Sequence, residues 1–225
     1  EWFEDGVVTP EEAKQLVEYL LYTFGKSLHG VNFMEKAVLL LGRLSRNGKS
    51  TTMDIMKKVL NDYMANLNLS YLTSVDHKAN EPHPELLAIK GSRIVQVDEP
   101  DESNKIIPNK FKMLVGGDTI SCRDLYKGTN QMVTFKNSAI FYFLSNNQLK
   151  FTTEGNDTSG KITFFEYGCF FGDKLTPGWD KSDKNKHHKD IKPGYKNELL
   201  NNKDFLNKMF ATILAYSQET MSPPD

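Results

Sequence analysis

Residues 37–51 read AVLLLGRLSRNGKST, and this stretch decides which fold the chain can adopt. The run Ala37–Leu41 is continuously apolar, which is typical of a strand buried on both faces of a parallel sheet. A polar, glycine-bearing turn follows it. From about Lys49 to Asn66, apolar side chains then recur at helical spacing. Strand, glycine turn and helix in this order predict an α/β nucleotide-binding unit with a central, mostly parallel sheet.

The turn itself has the residues of a phosphate-binding loop. Such a loop needs backbone N–H groups turned inward, a lysine that reaches the β- and γ-phosphate oxygens, and a hydroxyl for Mg²⁺. Lys49 would supply the ammonium and Ser50 the hydroxyl. The nucleotide is predicted to be ATP, and its predicted contacts are Gly42, Asn47, Gly48, Lys49, Ser50 and Thr51.

The first glycine of this loop departs from the common spacing. Four residues usually separate it from the Gly-Lys pair, which would require a glycine at Arg43, whereas this chain has Gly42. Either the loop is one residue longer or Arg43 occupies the first position. The alternative is an Asn47-Gly48 turn that only happens to precede Lys-Ser.

Two further strand ends carry polar groups suited to hydrolysis. The segment Arg93–Val97 predicts a second central strand and ends on Asp98 and Glu99. One carboxylate, Asp98, would hold Mg²⁺ through water, and Glu99 would polarise the attacking water. A third apolar strand, Ala139–Leu144, leads to Asn146, whose amide could sense the γ-phosphate. Taken alone, each of these strand ends is also typical of a solvated turn.

Helices and one hairpin complete the predicted pattern. The segments Thr119–Tyr126 and Gln131–Phe135 flank a four-residue connection with a glycine, which predicts a β-hairpin. The range Lys174–Tyr195 is predicted to be a loop. The predicted helices begin at Thr9-Pro10 and span Pro84–Ile89, Pro108–Val115 and Lys203–Tyr216.

Composition indicates an ordinary soluble globular domain. The chain has 225 residues, 39% hydrophobic and 25% charged, with a formal net charge of -1. Any nucleic-acid binding must therefore come from a local basic patch. Cys122 and Cys169 form no disulfide framework, the histidines show no metal-ligand spacing, and no apolar run is long enough to cross a bilayer. Because the chain begins at Glu1 and ends at Asp225 without a methionine start, we expect a piece of a longer protein.

The three motifs in this order resemble the superfamily 3 helicases. The resemblance is strongest to the poxvirus-type primase–helicase proteins of nucleocytoplasmic large DNA viruses and some phages. Residues 84–93, PELLAIKGSR, look like the stretch before the family's acidic pair. Residues 111–127, FKMLVGGDTISCRDLYK, are similar to the motif between that pair and the sensor, and are the most specific match. The resemblance covers roughly Lys36 to Phe171.

The resemblance implies an AAA+-like P-loop ATPase domain over residues 31–225, after a helical collar segment over residues 1–30. It implies a ring, usually a hexamer, that hydrolyses ATP and translocates on single-stranded DNA during viral genome replication. An attached or partner primase and a location in the host cytoplasm or at a viral replication site would follow. By position, Lys49 and Ser50 correspond to Walker A, Asp98 and Glu99 to Walker B, and Asn146 to sensor 1.

The resemblance also assigns cations to DNA and to a neighbouring subunit. The tip of the hairpin would contact DNA phosphates through Lys127, supported by Lys112, Arg123 and Lys136, although each could be an ordinary exposed cation. Where the family usually has an arginine finger this chain has Lys161, which could act in trans as a point charge. Alternatively, the finger lies elsewhere or the site hydrolyses slowly.

Two other functions share part of the pattern. A P-loop kinase of a small molecule has the same Gly-Lys-Ser turn but needs neither the hairpin nor a sensor asparagine. A nucleotide-binding assembly module would bind ATP without hydrolysis, and the displaced Gly42 and the lysine at position 161 fit it.

Overall fold

The computed structural model describes residues 10–32, 34–42, 45–73, 83–98, 105–123, 132–152, 158–173, 176 and 188–221. The helices are α1 Pro10–Ser27, α2 Lys49–Leu60, α3 Ser70–Thr73, α4 Pro84–Ala88, α5 Pro108–Val115, α6 Tyr195–Asn201 and α7 Lys203–Ser217. The strands are β1 Ala37–Leu41, β2 Met64–Leu67, β3 Ile94–Val97, β4 Thr119–Arg123, β5 Met132–Lys136, β6 Ile140–Ser145, β7 Ile162–Glu166, β8 Phe170–Gly172 and β9 His188–Asp190.

A five-stranded parallel sheet forms the centre, with strand order β2-β3-β6-β1-β7. Strand β1 therefore lies between β6 and β7, and its last residue, Leu41, is level with Ser145 and Glu166. All five strands end at one edge, the carboxyl edge, and begin at the opposite, amino edge. The hairpin β4–β5 is antiparallel, and β8 and β9 form a separate parallel pair. The predicted α/β fold with a mostly parallel central sheet is confirmed.

Helices cover both faces of this sheet because successive side chains of a strand point to opposite faces. In β1, Val38 and Leu40 belong to one buried cluster, whereas Leu39 and Leu41 belong to the other. Helices α1, α2 and α7 cover the first face, and α4, α5 and strand β4 cover the second. Helix α1 thus packs directly against the sheet, in the same hydrophobic core as α2 and α7. Within the described ranges, no helix is both long and apolar enough to span a bilayer.

The helix after the glycine turn is shorter than predicted. It ends at Leu60, because Asn61 leaves the helical conformation with a φ of 47° and a ψ of -111°. The end of the predicted helix, residues 64–66, instead belongs to strand β2, which pairs in parallel with β3. Pairing with the sheet and burial of Met64 and Leu67 outweigh the local helical pattern.

The region after Asn146 contains more regular structure than the sequence pattern predicted. Strands β7 and β8 were not anticipated, although β7 pairs along its whole length with β1. Within the predicted loop Lys174–Tyr195, most residues lie outside the described part of the chain. Its described portion includes strand β9, which pairs with β8, and the first residue of α6.

Gly25 allows α1 and α7 to approach closely, and we expect its replacement by alanine to destabilise the fold. A Cβ at position 25 would lie 2.6 Å from the backbone N of Ser217 and 2.7 Å from the backbone O of Ile213. Alanine gains about 1 kcal/mol of helix propensity. Overpacking costs about 1–3 kcal/mol, and backbone atoms cannot rotate away. We therefore expect Gly25→Ala to lower the melting temperature by about 2–4 °C.

The matched control is Gly160→Ala, because a Cβ at Gly160 meets no atom within 4 Å. Thermal unfolding followed by circular dichroism should show the control within about 0.5 kcal/mol of the wild type. A Gly25→Ala protein that melts with the control would contradict the close helix approach.

Tyr142 lies in the centre of the sheet, and we expect it to make stability fall above pH 10. Its ring stacks on Phe24 at 5.0 Å, and its hydroxyl donates to Thr23 Oγ1 at 3.0 Å. Burial raises the pKa of Tyr142 far above its ordinary value of 10. Above pH 10 the unfolded chain loses this proton while the folded chain keeps it, so rising pH favours unfolding.

The free energy of unfolding should therefore fall by about 1.4 kcal/mol for each pH unit above 10, because of this one hydroxyl. Tyr142→Phe should remove the part of the pH dependence that this hydroxyl causes. At pH 8 the variant should be less stable by about 1 kcal/mol, because its hydrogen bond to Thr23 is lost. Urea unfolding at pH 8, 10 and 11 measures both effects. Equal pH dependence in the two proteins would refute the assignment.

Candidate functional site

The loop between β1 and α2 has a backbone suited to anions. Arg46 and Gly48 adopt positive φ values of 57° and 94°, and Asn47 between them does not. Such alternation turns successive backbone N–H groups toward one side, and the resulting concavity attracts anions. Helix α2 begins directly after it, at Lys49, and adds the positive end of its dipole. Residues 43 and 44 of this loop lie outside the described part of the chain.

Lys49 links this loop to the strand end that carries Asn146. Its side chain is only 7% exposed, and Nζ donates to Asn146 Oδ1 at 2.8 Å and to Gly42 O at 3.1 Å. Its backbone N donates to Asn47 Oδ1 at 3.4 Å. Lys49 and Asn146 are 97 residues apart in sequence, and the pairing of β1 with β6 brings them together. The backbone N of Gly42 continues that pairing by donating to Ser145 O at 3.0 Å.

Gly42 has no space for a side chain in this arrangement. A Cβ there would lie 1.9 Å from Asn47 Nδ2 and 2.8 Å from Lys49 Nζ. A glycine is therefore required at position 42 while both side chains keep their places. Because residue 43 lies outside the described part of the chain, both alternatives for the start of the loop stay predictions.

The predicted Mg²⁺ ligands lie at the same carboxyl edge of the sheet. Ser50 is exposed in the first turn of α2, and Thr51 beside it is half-buried. Asp98 follows β3, is exposed, and accepts a hydrogen bond from Gln96 Nε2 at 2.5 Å. Glu99 lies outside the described residues. Because β6 separates β1 from β3, Asn146 follows the strand between the loop and Asp98.

The described residues contain no group of three or more His, Cys, Asp or Glu side chains that could hold a metal ion. A hydroxyl and a single carboxylate at one edge nevertheless fit Mg²⁺. This ion usually keeps several waters and is bound by one or two carboxylates together with substrate phosphates.

The sequence did not predict the segment after β7. This segment contacts the loop region from the side of β1 opposite to β6. The backbone N of Tyr167 donates to Leu41 O at 2.7 Å, and its hydroxyl donates to Thr52 Oγ1 at 3.1 Å. Burial raises the pKa of Tyr167, so the hydroxyl stays protonated and can donate near neutral pH. Further along, Phe171 N donates to Arg46 O at 2.9 Å. Only the position of β7 beside β1 reveals these contacts.

Three of the four cations predicted to contact DNA are described, two on the strands of the hairpin and one on α5. Arg123 and Lys136 are on the same face of its strands but at opposite ends, paired with Met132 and Thr119. Lys136 is exposed and Arg123 half-buried. Lys112 is half-buried on α5. The predicted tip with Lys127 lies outside the described residues.

Lys161 lies at the amino edge of the sheet, directly before β7. The phosphate-loop candidate is at the carboxyl edge, so Lys161 is not part of the same site within one chain. Its Nζ is 3.3 Å from Glu35 Oε2, in a partly exposed ion pair.

These features define an α/β protein whose parallel sheet carries, at its carboxyl edge, a glycine-bearing loop with a backbone suited to anions. A protein family described as "Family of unknown function (DUF5906)" matches residues 40–163, more than half of the chain. The chain belongs to this family.

Individual relatives are viral. A protein of Acanthamoeba polyphaga mimivirus, provisionally named helicase L207/L206, is 36% identical over 114 residues, which are 51% of this chain and 12% of that protein. A protein of African swine fever virus (strain Badajoz 1971 Vero-adapted), provisionally named primase C962R, is 25% identical over 176 residues, 78% of this chain and 17% of that protein. A Frog virus 3 protein, provisionally named helicase 022R, is 28% identical over 93 residues, 41% of this chain and 10% of that protein.

Among solved structures, the apo C-terminal region of NrS-1 (residues 305–718) has a similar fold. It superposes with a TM-score of 0.58 at 17% identity, covering 94% of this chain and 45% of that chain. The chain thus spans 10–17% of the length of the three viral relatives and less than half of the NrS-1 region.

Proposed function

We propose that the chain is the ATP-hydrolysing motor of a viral replication helicase, a P-loop domain of the AAA+-like, superfamily 3 type. The observation that carries the proposal is the contact of Lys49 Nζ with Asn146 Oδ1 beside an anion-binding loop. An ammonium that touches a polar amide at this position can exchange that contact for a phosphate oxygen. The amide can then orient a water molecule beside the γ-phosphate.

Each predicted site residue has a separate role in the proposed hydrolysis. The loop N–H groups and Lys49 bind the phosphates of ATP, and an arrangement of fixed donors in a shielded site stabilises charge in the transition state. Ser50 and Asp98 would hold Mg²⁺, which would neutralise charge on the phosphate oxygens. Glu99 polarises the attacking water, and Asn146 orients it.

The relatives support a role on DNA. Two of the viral proteins carry helicase names and one a primase name, so we infer that single-stranded DNA is a partner and that a primase is attached or associated. The place of action would be a viral replication site or the host cytoplasm. The collar over residues 1–30 and the motor over residues 31–225 would belong to a much longer protein.

Strand β6 supplies a physical connection between hydrolysis and DNA. Asn146 directly follows its carboxyl end, while its amino end follows the hairpin. Asn137 fixes the hairpin base to α5, because its Nδ2 donates to Leu114 O at 2.5 Å and its backbone N to Asp118 O at 3.2 Å. Every residue of β6 is buried, so the strand can transmit a shift between the two edges with little deformation.

DNA would be held through its phosphates by Lys127, Arg123, Lys136 and Lys112. Such binding weakens steeply with salt and has little sequence preference. The position of Lys161 at the amino edge is compatible with action on a neighbour's γ-phosphate, in a ring that is usually a hexamer.

The test is the rate of ATP hydrolysis with and without single-stranded DNA, with particle mass measured in the same buffer. We expect a ring-sized particle whose hydrolysis rises with DNA and depends on Lys49. A monomer that transfers phosphate to a small molecule would replace the motor by a kinase. Tight ATP binding by a ring without phosphate release would replace it by an assembly module.

A further inference from the structure

Phe171 is a large apolar side chain that the fold leaves at the surface beside the candidate loop. It is the middle residue of β8, and its neighbours Phe170 and Gly172 are buried while its own side chain is 37% exposed. Because strand side chains alternate between faces, Phe170 enters the core and Phe171 points away from it.

Two contacts fix Phe171 against the loop. Its backbone N–H donates to Arg46 O at 2.9 Å, which joins β8 to the loop backbone. Its ring atom Cε2 lies 3.8 Å from the position that a Cβ on Gly48 would occupy, so the ring is in contact range of the residue just before Lys49. One edge of the ring therefore faces the loop, and part of the ring remains open to solvent.

We propose that the exposed face of Phe171 is the platform on which the base of the bound nucleotide stacks. The inference rests on the proposed function, because the phosphate loop must hold the rest of the nucleotide. A loop of N–H groups and one ammonium recognises phosphates but offers nothing to a base. An aromatic ring at its border supplies the missing apolar surface. Stacking uses the π-face that every base has, so purine triphosphates of either kind can use it.

The experiment measures dissociation constants by calorimetry for ATP, GTP and inorganic tripolyphosphate, each with Mg²⁺. Tripolyphosphate is the probe that has the phosphates without the base. The variants are Phe171→Ala, Phe171→Trp and, as a matched exposed phenylalanine, Phe210→Ala on α7, which is 44% exposed. The backbone hydrogen bond to Arg46 is available to all of them.

We expect Phe171→Ala to weaken ATP and GTP about 10-fold, the usual size of a base–aromatic stacking contribution, and to leave tripolyphosphate unchanged. Phe171→Trp should keep or improve binding of both nucleotides, and Phe210→Ala should match the wild type.

Three results would overturn the stacking role. An equal loss for ATP and tripolyphosphate would mean that the ring only braces the loop. Unchanged ATP binding in Phe171→Ala would mean that the base lies elsewhere, while the nucleotide site stands. A wild-type chain that binds neither ATP nor tripolyphosphate would refute the nucleotide site itself and the stacking role with it.

Discussion

Replacing Lys49 with alanine is expected to lower the rate of ATP hydrolysis by at least about 100-fold, the usual cost of removing one donor from a site that stabilises transition-state charge. The ammonium is buried between the loop and Asn146, and the loop N–H groups alone cannot neutralise the γ-phosphate. Binding of Mg·ATP should weaken as well. Phosphate release and calorimetry measure the two effects, with the melting temperature as a check on folding.

The matched control for this experiment is Lys58→Ala. Lys58 is on the same helix, α2, but its side chain is exposed and lies in the last turns rather than at the loop. This variant should hydrolyse ATP at the wild-type rate. Hydrolysis by Lys49→Ala at the rate of Lys58→Ala would mean that the loop is not the catalytic site.

Substitutions of Asn146 are expected to affect ATP hydrolysis and ATP binding to different extents. In Asn146→Ala, the amide that orients water is lost while the loop and Lys49 remain, so kcat should fall about 100-fold and ATP affinity should change by less than about 10-fold. In Asn146→Asp, a carboxylate replaces the oxygen that now accepts from Lys49 at 2.8 Å. An ion pair with the Lys49 ammonium forms there, which is stronger than the present bond to a neutral amide and competes with phosphate.

Asn146→Asp should therefore melt at a higher temperature than the wild type without nucleotide and bind ATP far more weakly. Thermal shift with and without Mg·ATP measures both. Asn147→Ala is the control, because Asn147 is the next residue and its side chain is exposed. If Asn146→Ala weakens ATP binding as strongly as it lowers kcat, the residue is a ligand of the bound state and not a sensor.

The local sequence was sufficient for the elements that flank the site. Strands β1 and β6 were predicted from continuous apolar runs, and such runs are typical of strands covered on both faces. Strand β3 was predicted as well, from a mainly apolar run that Gln96 interrupts. Helices α4 and α5 start at Pro84 and Pro108, as predicted, because proline fits the first helical turn. The hairpin strands were predicted from two β-prone runs around a glycine connection.

Local pattern was insufficient where a distant partner decides the conformation. Met64–Leu67 is a strand because β3 offers it an edge to pair with, although its own spacing continues the helix. Glycine weakens a helix locally, yet α1 continues through Gly25. The close contact with the backbone of α7 explains why a residue without a side chain stands there. In both cases the energy comes from contacts with residues far away in sequence.

The sequence by itself therefore determined the α/β class, the loop between strand and helix, and the kinds of polar group at each strand end. Local periodicity, glycine and proline carry that information within a few residues. Only the tertiary structure decided that β6 lies beside β1, so that Asn146 meets Lys49, and that β7 brings Tyr167 and Phe171 against the loop. Strand order depends on long-range pairing and burial, and no local pattern specifies which strand will become a neighbour.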